Sequence, residues 1–324
     1  MDFAKNSLGT FATLVVAALV GIASGMITAR VLEPQGVGVS AVVVLYPILF
    51  FTVGHLTFNI GTIYRIGQKK GSTGDFIANS LLVAVCMGVL LYAVFVLTLP
   101  LFRDTLYKGI DVKYFYISFL MLPCCLITFL VSSILQGLGR IKEYNIVNLV
   151  RCISSVLFLI LFIVVFKFSV MGAVVASVLG YLLSAIAVLF YVYRQAGLPW
   201  KLNFRLLCDT LRDGGKIHIA SISTFIYGQV GLIVANYYLS SAEVGYLFVA
   251  LTCAQFLYLI PSSVQTVLYP EAAMATEEEA KLSSVRVCRH TVFWVFIAAI
   301  GLALFSNSHF TAAAFSSATL SCKV

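Results

Sequence analysis

The chain has 324 residues, 61% of them apolar and only 10% charged, with a net charge of +8. Soluble domains carry about 45–50% apolar and about 25% charged residues, so lipid rather than water must solvate most of this chain. That balance excludes a cytosolic enzyme, a secreted disulfide scaffold and a disordered tail, and apolar runs that are continuous rather than alternating exclude a β-barrel.

Nine apolar segments follow one another, at 11–29, 39–62, 76–101, 114–135, 146–166, 170–192, 217–239, 245–267 and 290–306. The first lacks a clear small-residue cleavage site and reads as a retained helix, not a signal peptide. Gly21 and Gly25 give it a close-packing face. Arg30 closes it, either as a ligand for an anion in a cavity or as a headgroup anchor. The second carries Thr52, His55, Asn59 and Thr62 on one face and Pro47 inside, a hinge or a static kink. Arg65, Lys69 and Lys70 after it read as cytoplasmic anchors. His55 is also a proton-responsive candidate.

The fifth segment begins with Asn145, Asn148, Arg151 and Ser155 in line. Only Lys167 to Ser169 separate it from the sixth. The two together are too long for one span, so a tight turn must join two helices. Gly172, Ala176 and Gly180 form a second close-packing stripe. The hydrophilic stretch about 193–216, with Gly197-Leu198-Pro199, reads as a cytoplasmic linker.

The seventh segment starts with His218, Ser221 and Thr224. The eighth has the longest polar stripe, Thr252, Gln255, Tyr258, Ser262 and Gln265 continuing to Tyr269, with Pro261 inside as a second possible hinge. Glu277 and Lys281 form an i,i+4 pair that predicts a short surface helix in the 268–289 loop. After 306 the residues are rich in Ser, Ala and Thr and show no span.

Fifteen of the 21 Lys and Arg fall on one side when the N-terminus is cytoplasmic, and six on the other. That asymmetry is the positive-inside pattern of a multi-pass protein, and not a nucleic-acid face. Cys86, Cys124, Cys125, Cys152 and Cys253 lie in apolar runs, where Cys acts as a small hydrophobe. No spacing suggests a metal site or a cofactor.

The second half repeats the first at an offset of 207 residues, which pairs Gly38 with Gly245, Val37 with Val244, Gly21 with Gly228, Leu32 with Leu239 and Val42 with Val249. Both Val-Gly pairs follow a polar break and open a span. An offset of six spans makes the repeat parallel.

Polar stripes are costly in lipid and normally face a bundle interior or a hydrated cavity, though hydrogen bonds between helices also account for them. The four stripes favour a central cavity between two lobes. No Asp or Glu lies within a span, so no carboxylate ion-coupling site is evident.

Arg30-Val31-Leu32-Glu33-Pro34-Gln35-Gly36-Val37-Gly38 resembles the break after the first helix of Wzx-type O-antigen and polysaccharide flippases, which share a superfamily with the MATE exporters and the lipid II flippase. Gln136-Gly137-Leu138-Gly139-Arg140 with Tyr144-Asn145 resembles that family's loop after helix four. Glu243-Val244-Gly245-Tyr246 and Leu268-Tyr269-Pro270 resemble its second-half counterparts. The likeness covers about residues 1–305.

It implies two six-helix lobes around a central cavity, of which this chain, an all-α polytopic membrane protein with about nine spans by its apolar segments, would lack the last three or more helices. Residues 1–193 would be a six-helix N-lobe, 194–216 a linker, 217–306 a partial three-helix C-lobe and 307–324 an atypical tail, with truncation or a frameshift near Asn307 expected. It implies transport by alternating access, without enzymatic chemistry, in a bacterial inner membrane. The cargo would be an undecaprenyl-diphosphate-linked oligosaccharide for O-antigen, lipopolysaccharide or other surface polysaccharide. Partners would be membrane lipids and a polysaccharide polymerase with other assembly proteins. Arg30 and Arg151 suit the diphosphate; His55, Asn59, Asn148, Gln255, Tyr258 and Gln265 suit a sugar chain in a hydrated lumen. Three alternatives stand beside this: a MATE-like small-molecule exporter, a membrane enzyme acting on polyprenyl-linked sugars, and an inactive truncated flippase fragment. The exporter would want buried carboxylates, and the enzyme a substantial outer loop.

Overall fold

Proline has no N–H to donate to the preceding turn and restricts the residue before it. At Glu33-Pro34 this bends the chain: Glu33 takes φ 57° and ψ 169° within the helix α1 (Phe3–Gly54), whose arms 3–32 and 34–54 meet there. The polar break predicted over 30–38 is thus a kink at one residue. The structure is a computed structural model that describes residues 3–102, 109–196, 201–274 and 277–305. The 103–108 loop, Gly197-Leu198-Pro199 and the predicted tail 307–324 lie outside the described residues.

Among the described residues nine further helices follow: α2 (Phe58–Gly67), α3 (Thr73–Phe102), α4 (Val112–Phe119), α5 (Met121–Gly137), α6 (Ile141–Leu159), α7 (Ser169–Ala196), α8 (Phe204–Tyr238), α9 (Ser241–Met274) and α10 (Glu277–Phe305). Asp111 starts α4 by accepting from Lys113 N–H at 3.0 Å. The step from α4 to α5 at Leu120 precedes Pro123, which cannot donate to the carbonyl four residues back. Gly139, at φ 70°, ends the turn after α5, where Arg140 N–H returns to the Leu135 carbonyl at 2.8 Å.

The tight turn predicted at Lys167–Ser169 is present. A π-helical turn at Ile160–Val165 ends α6, and Lys167 and Ser169 take φ 55° and 51°. Phe168 N–H then reaches the Phe162 carbonyl at 2.9 Å. Gly172 and Gly180 pack closely, as predicted, against Phe162 and Ser155. Gly21 and Gly25 do not: no described residue lies within reach of a Cβ there.

Two sequence expectations change. No Pro or Gly falls between 271 and 300, so nothing breaks the helix that Glu277 starts. The predicted short surface helix is therefore the first turns of α10. The predicted linker is also largely helical, because α8 begins at Phe204, where the Asn203 side chain accepts from Leu206 N–H at 3.1 Å.

Among the described residues six helical stretches are long and apolar enough to cross a membrane, including the kinked 43-residue stretch Ala12–Gly54, and the bent pair within α8 makes a seventh. Counted with both arms of α1 and with α9, the described helices occupy the nine predicted segments. The chain is an all-α polytopic membrane protein. Leu97, Leu101 and Phe190 are exposed on its outside, where lipid is the solvent.

By its internal packing the chain falls into two compact units, Met1–Val249 and Ala250–Val324. In the first, α5 is central. Its Val131, Ile134 and Leu135 join Phe76 and Ile77 of α3, Val147 of α6, Val188 and Val192 of α7, and Leu206 of α8. Its Leu126 and Leu130 join Phe58 of α2 and Val83 and Ala84 of α3. Leu32 and Val37 of α1 meet Ile163 and Ala173 near the tight turn. Within a bilayer such contacts stabilise through close packing more than through removal from water. The second unit holds the remainder of α9 and α10, where Val292, Phe293 and Trp294 are exposed.

Candidate functional site

Between α1 and α2 the helix is interrupted at residues 55–57, eight residues after Pro47. Leu56 and Thr57 both have positive φ, 48° and 51°, at a cost of about 1–3 kcal/mol each. Non-helical backbone at membrane depth persists only where protein satisfies it. Here Phe58 N–H donates to the His55 carbonyl at 2.9 Å, and Ile60 N–H to the Thr57 carbonyl at 3.1 Å. Thr57 N–H donates to His55 Nδ1 at 2.9 Å. His55 is buried between Phe51 and Phe129, each ring centroid 5.3 Å away. Pro47 does not supply the interruption, since Glu33 is where α1 itself departs from helical geometry.

The first turns of α8 lie against this break. Thr57 Oγ1 and His218 Nδ1 are 2.9 Å apart, and the His55 and His218 rings meet edge to face at 5.7 Å. A Cβ on Gly214 would collide with the Thr57 carbonyl, and one on Gly61 with the Thr210 carbonyl, so both glycines permit contact of the two helices. One turn further, Arg65 donates to Asp209 at 3.2 Å and pairs with Asp213 at 2.7 Å. Its side chain is 15% exposed, against 46% and 24% for the two acids. The arm begins with an amide pair: Asn79 Nδ2 donates to the Asn203 carbonyl at 3.0 Å and Asn203 N–H to Asn79 Oδ1 at 3.2 Å. Residues 203–218 are therefore a strap fixed to α2 and α3. Arg65, expected as a cytoplasmic anchor, is the centre of a two-carboxylate clamp.

The sequence-predicted residues separate. Arg30 is exposed and His55 buried. Asn59 keeps its Oδ1 buried with no partner among the described residues. Asn148 donates to the Tyr144 carbonyl at 3.3 Å. Arg151 lies with its guanidinium carbon 5.5 Å from the Tyr181 ring centroid and donates to Cys152 Sγ at 3.5 Å. No carboxylate pairs with it among the described residues. Tyr258 is exposed in the second unit. The side chains of Gln255, Gln265 and Tyr269 lie outside the described residues.

The stripe on α6 does not face one way. Asn145 donates to Thr10 of α1 at 3.2 Å, and Ser155 packs on Gly180 of α7. Those two are helix-to-helix contacts, the bland reading of a polar stripe. Arg151 alone is left as a half-buried cation on an aromatic ring. Tyr181 sits beside Gly180 with no polar pattern in the sequence to mark it. Asp209 and Asp213 were likewise not expected, although acids four apart in a basic linker are a legible signal for a cationic partner.

At the other end of α8, Ser240 and Glu243 form a capping box for α9. Ser240 N–H and Oγ both donate to Glu243 Oε2 at 2.8 Å. These bonds hold the exposed carboxyl below its usual range.

Comparison with known proteins gives a family and a fold. A family model described as "Polysaccharide biosynthesis protein" matches residues 27–322. No curated protein matches the chain. Among solved structures, the MATE multidrug transporter DinF-BH superposes with a TM-score of 0.76 at 16% identity, covering 98% of this chain and 77% of that one. A MOP superfamily transporter from Pyrococcus furiosus gives 0.65 at 17% identity, over 92% and 70%. An outward-facing multidrug resistance MATE family transporter gives 0.66 at 16% identity, over 93% and 70%. At these identities the likeness is one of fold.

Proposed function

We propose that this chain, which belongs to the polysaccharide biosynthesis protein family, moves undecaprenyl-diphosphate-linked oligosaccharide repeat units from the cytoplasmic to the outer leaflet of a bacterial inner membrane. The cargo would serve O-antigen, lipopolysaccharide or another surface polysaccharide, and a polymerase would receive it. The N-terminus is cytoplasmic in this reading, on the charge asymmetry of the loops. Residues 1–193 act as one lobe and 217–306 as part of a second.

The observation that carries the reading is Arg151. A half-buried guanidinium inside an apolar bundle is costly unless paired, and Tyr181 is the aromatic support it has here. A diphosphate supplies the missing anion through bidentate, charge-assisted hydrogen bonds. Arg30, His55, Asn59, Asn148, Gln255, Tyr258 and Gln265 are the further proposed contacts, Arg30 to the diphosphate and the others to the sugars.

Because the fold is shared with multidrug transporters, a small-molecule exporter is the second reading. A half-buried cation with no carboxylate partner among the described residues favours an anionic cargo over a cationic drug. The test is complementation of a strain lacking its flippase. Arg151→Ala should abolish surface polysaccharide at unchanged protein level, and normal polysaccharide in that variant would remove Arg151 from the account.

A further inference from the structure

We propose that His55 is a proton-binding site whose occupation opens the helix break at residues 55–57. The inference stands on hydrogen-bond geometry and holds whatever the cargo is.

A neutral imidazole has one N–H and one acceptor nitrogen. Thr57 N–H donates to His55 Nδ1 at 2.9 Å, which fixes Nδ1 as the acceptor and places the ring proton on Nε2. A second proton, taken from water, can therefore bind only at Nδ1. There it would face the Thr57 N–H, donor against donor. The imidazolium and the existing backbone turn cannot coexist, so Thr57 must release its amide. Leu56 and Thr57 are the two left-handed residues of the break, and that strain is relieved when the segment rearranges.

The neighbours of His55 make the choice sharp. From the first arm it meets Phe51, from α5 Phe129 and from α8 His218. Along α2 the next charged group is Arg65, already bound to Asp209 and Asp213 of α8. Lys216 of α8 is exposed. No described carboxylate pairs with His55 to stabilise an imidazolium in place.

His218 behaves differently. Its Nδ1 faces the Thr57 hydroxyl, which can accept as well as donate, so no backbone bond of the turn depends on that ring. With the rings 5.7 Å apart, two positive imidazoles repel. Only His55, whose Nδ1 is held by the backbone, couples a proton to the break. Opening also moves the Thr57 carbonyl, against which Gly214 packs. The α8 strap is therefore coupled to the protonation state.

The test uses the full chain in lipid nanodiscs with 15N-labelled histidine rings and labelled threonine amides, titrated from about pH 8 to about pH 3, well past the acid end of the range in which His ordinarily changes charge, because the phenyl rings and the Thr57 bond both oppose the imidazolium. Single His→Gln variants assign the four histidines. The expected result is His55 protonated only at Nε2 at high pH and at both nitrogens at low pH, with the Thr57 amide signal moving at the same midpoint. In His218→Gln the midpoint should move to higher pH, since a like charge is gone. Nδ1 protonated at high pH overturns the proposal. So does double protonation with an unmoved Thr57 amide, or a ring that stays neutral throughout. The wild-type titration decides the matter even if a variant fails to fold.

Discussion

Gly38 and Gly245 face each other across reciprocal contacts. A Cβ on Gly38 would strike the Ser241 carbonyl, and one on Gly245 the Pro34 carbonyl. The 207-residue offset that pairs the two glycines also pairs Pro34 with Ser241. Each glycine therefore meets the residue four before its own counterpart, as a two-fold axis between repeats requires. A repeat read from sparse sequence matches has a geometric signature here.

Replacing either glycine should hurt alike. Gly38→Val and Gly245→Val are each expected to lower stability by about 1–3 kcal/mol, the range for overpacking a tight contact. Thermal unfolding of the purified variants in detergent measures it. Wild-type stability in either would mean that the two segments are not held this closely.

The Arg65 clamp predicts an asymmetric series. Arg65→Ala strands Asp209 and Asp213 and should cost about 1.5–3 kcal/mol, in the range of hydrogen bonds to charged groups. Arg65→Lys should recover part of this, because a lysine reaches both acids only as a point charge. Equal melting temperatures for all three proteins would show that the clamp adds nothing.

Tyr181 supports Arg151 through its ring face. Tyr181→Phe should keep cargo binding near wild type, since the ring remains, whereas Tyr181→Ala should weaken it about 3- to 30-fold, equivalent to the roughly 0.5–2 kcal/mol of a cation–π contact. Binding of a short undecaprenyl-diphosphate oligosaccharide by native mass spectrometry separates the two. Equal loss in both variants would point to the hydroxyl instead.

The Ser240–Glu243 box gives a pH dependence with a definite sign. The folded carboxyl titrates below its unfolded value because Ser240 donates to it twice. Its stabilisation is therefore present above the unfolded pKa and is lost as pH falls through the folded one. Amide exchange in the first turn of α9, corrected for intrinsic rates, should rise on acidification below the ordinary carboxylate range. In Ser240→Ala that turn should already be loose at neutral pH.

Much of the fold was legible because lipid imposes simple rules. Continuous apolar runs located the helices, and the Lys167–Ser169 turn followed from length alone. The site was less legible. The break at 55–57 has no proline or glycine of its own, and its left-handed residues are a leucine and a threonine held by tertiary contacts that no local pattern announces. The α6 stripe misled for the opposite reason: Asn145 and Ser155 share periodicity with Arg151 but bond to neighbouring helices. Hydrophilic composition made 204–216 look like a linker, although Leu206 is buried in the core around α5.

A carrier of lipid-linked oligosaccharide must move its cargo from one leaflet to the other. Proteoliposomes containing the full chain, with labelled undecaprenyl-diphosphate oligosaccharide confined to one leaflet, test it through the appearance of the sugar to an impermeant lectin on the other side. Transfer well above protein-free liposomes is expected, with Arg151→Ala near their level. Transfer by the wild-type chain no faster than in protein-free liposomes would contradict the proposed function.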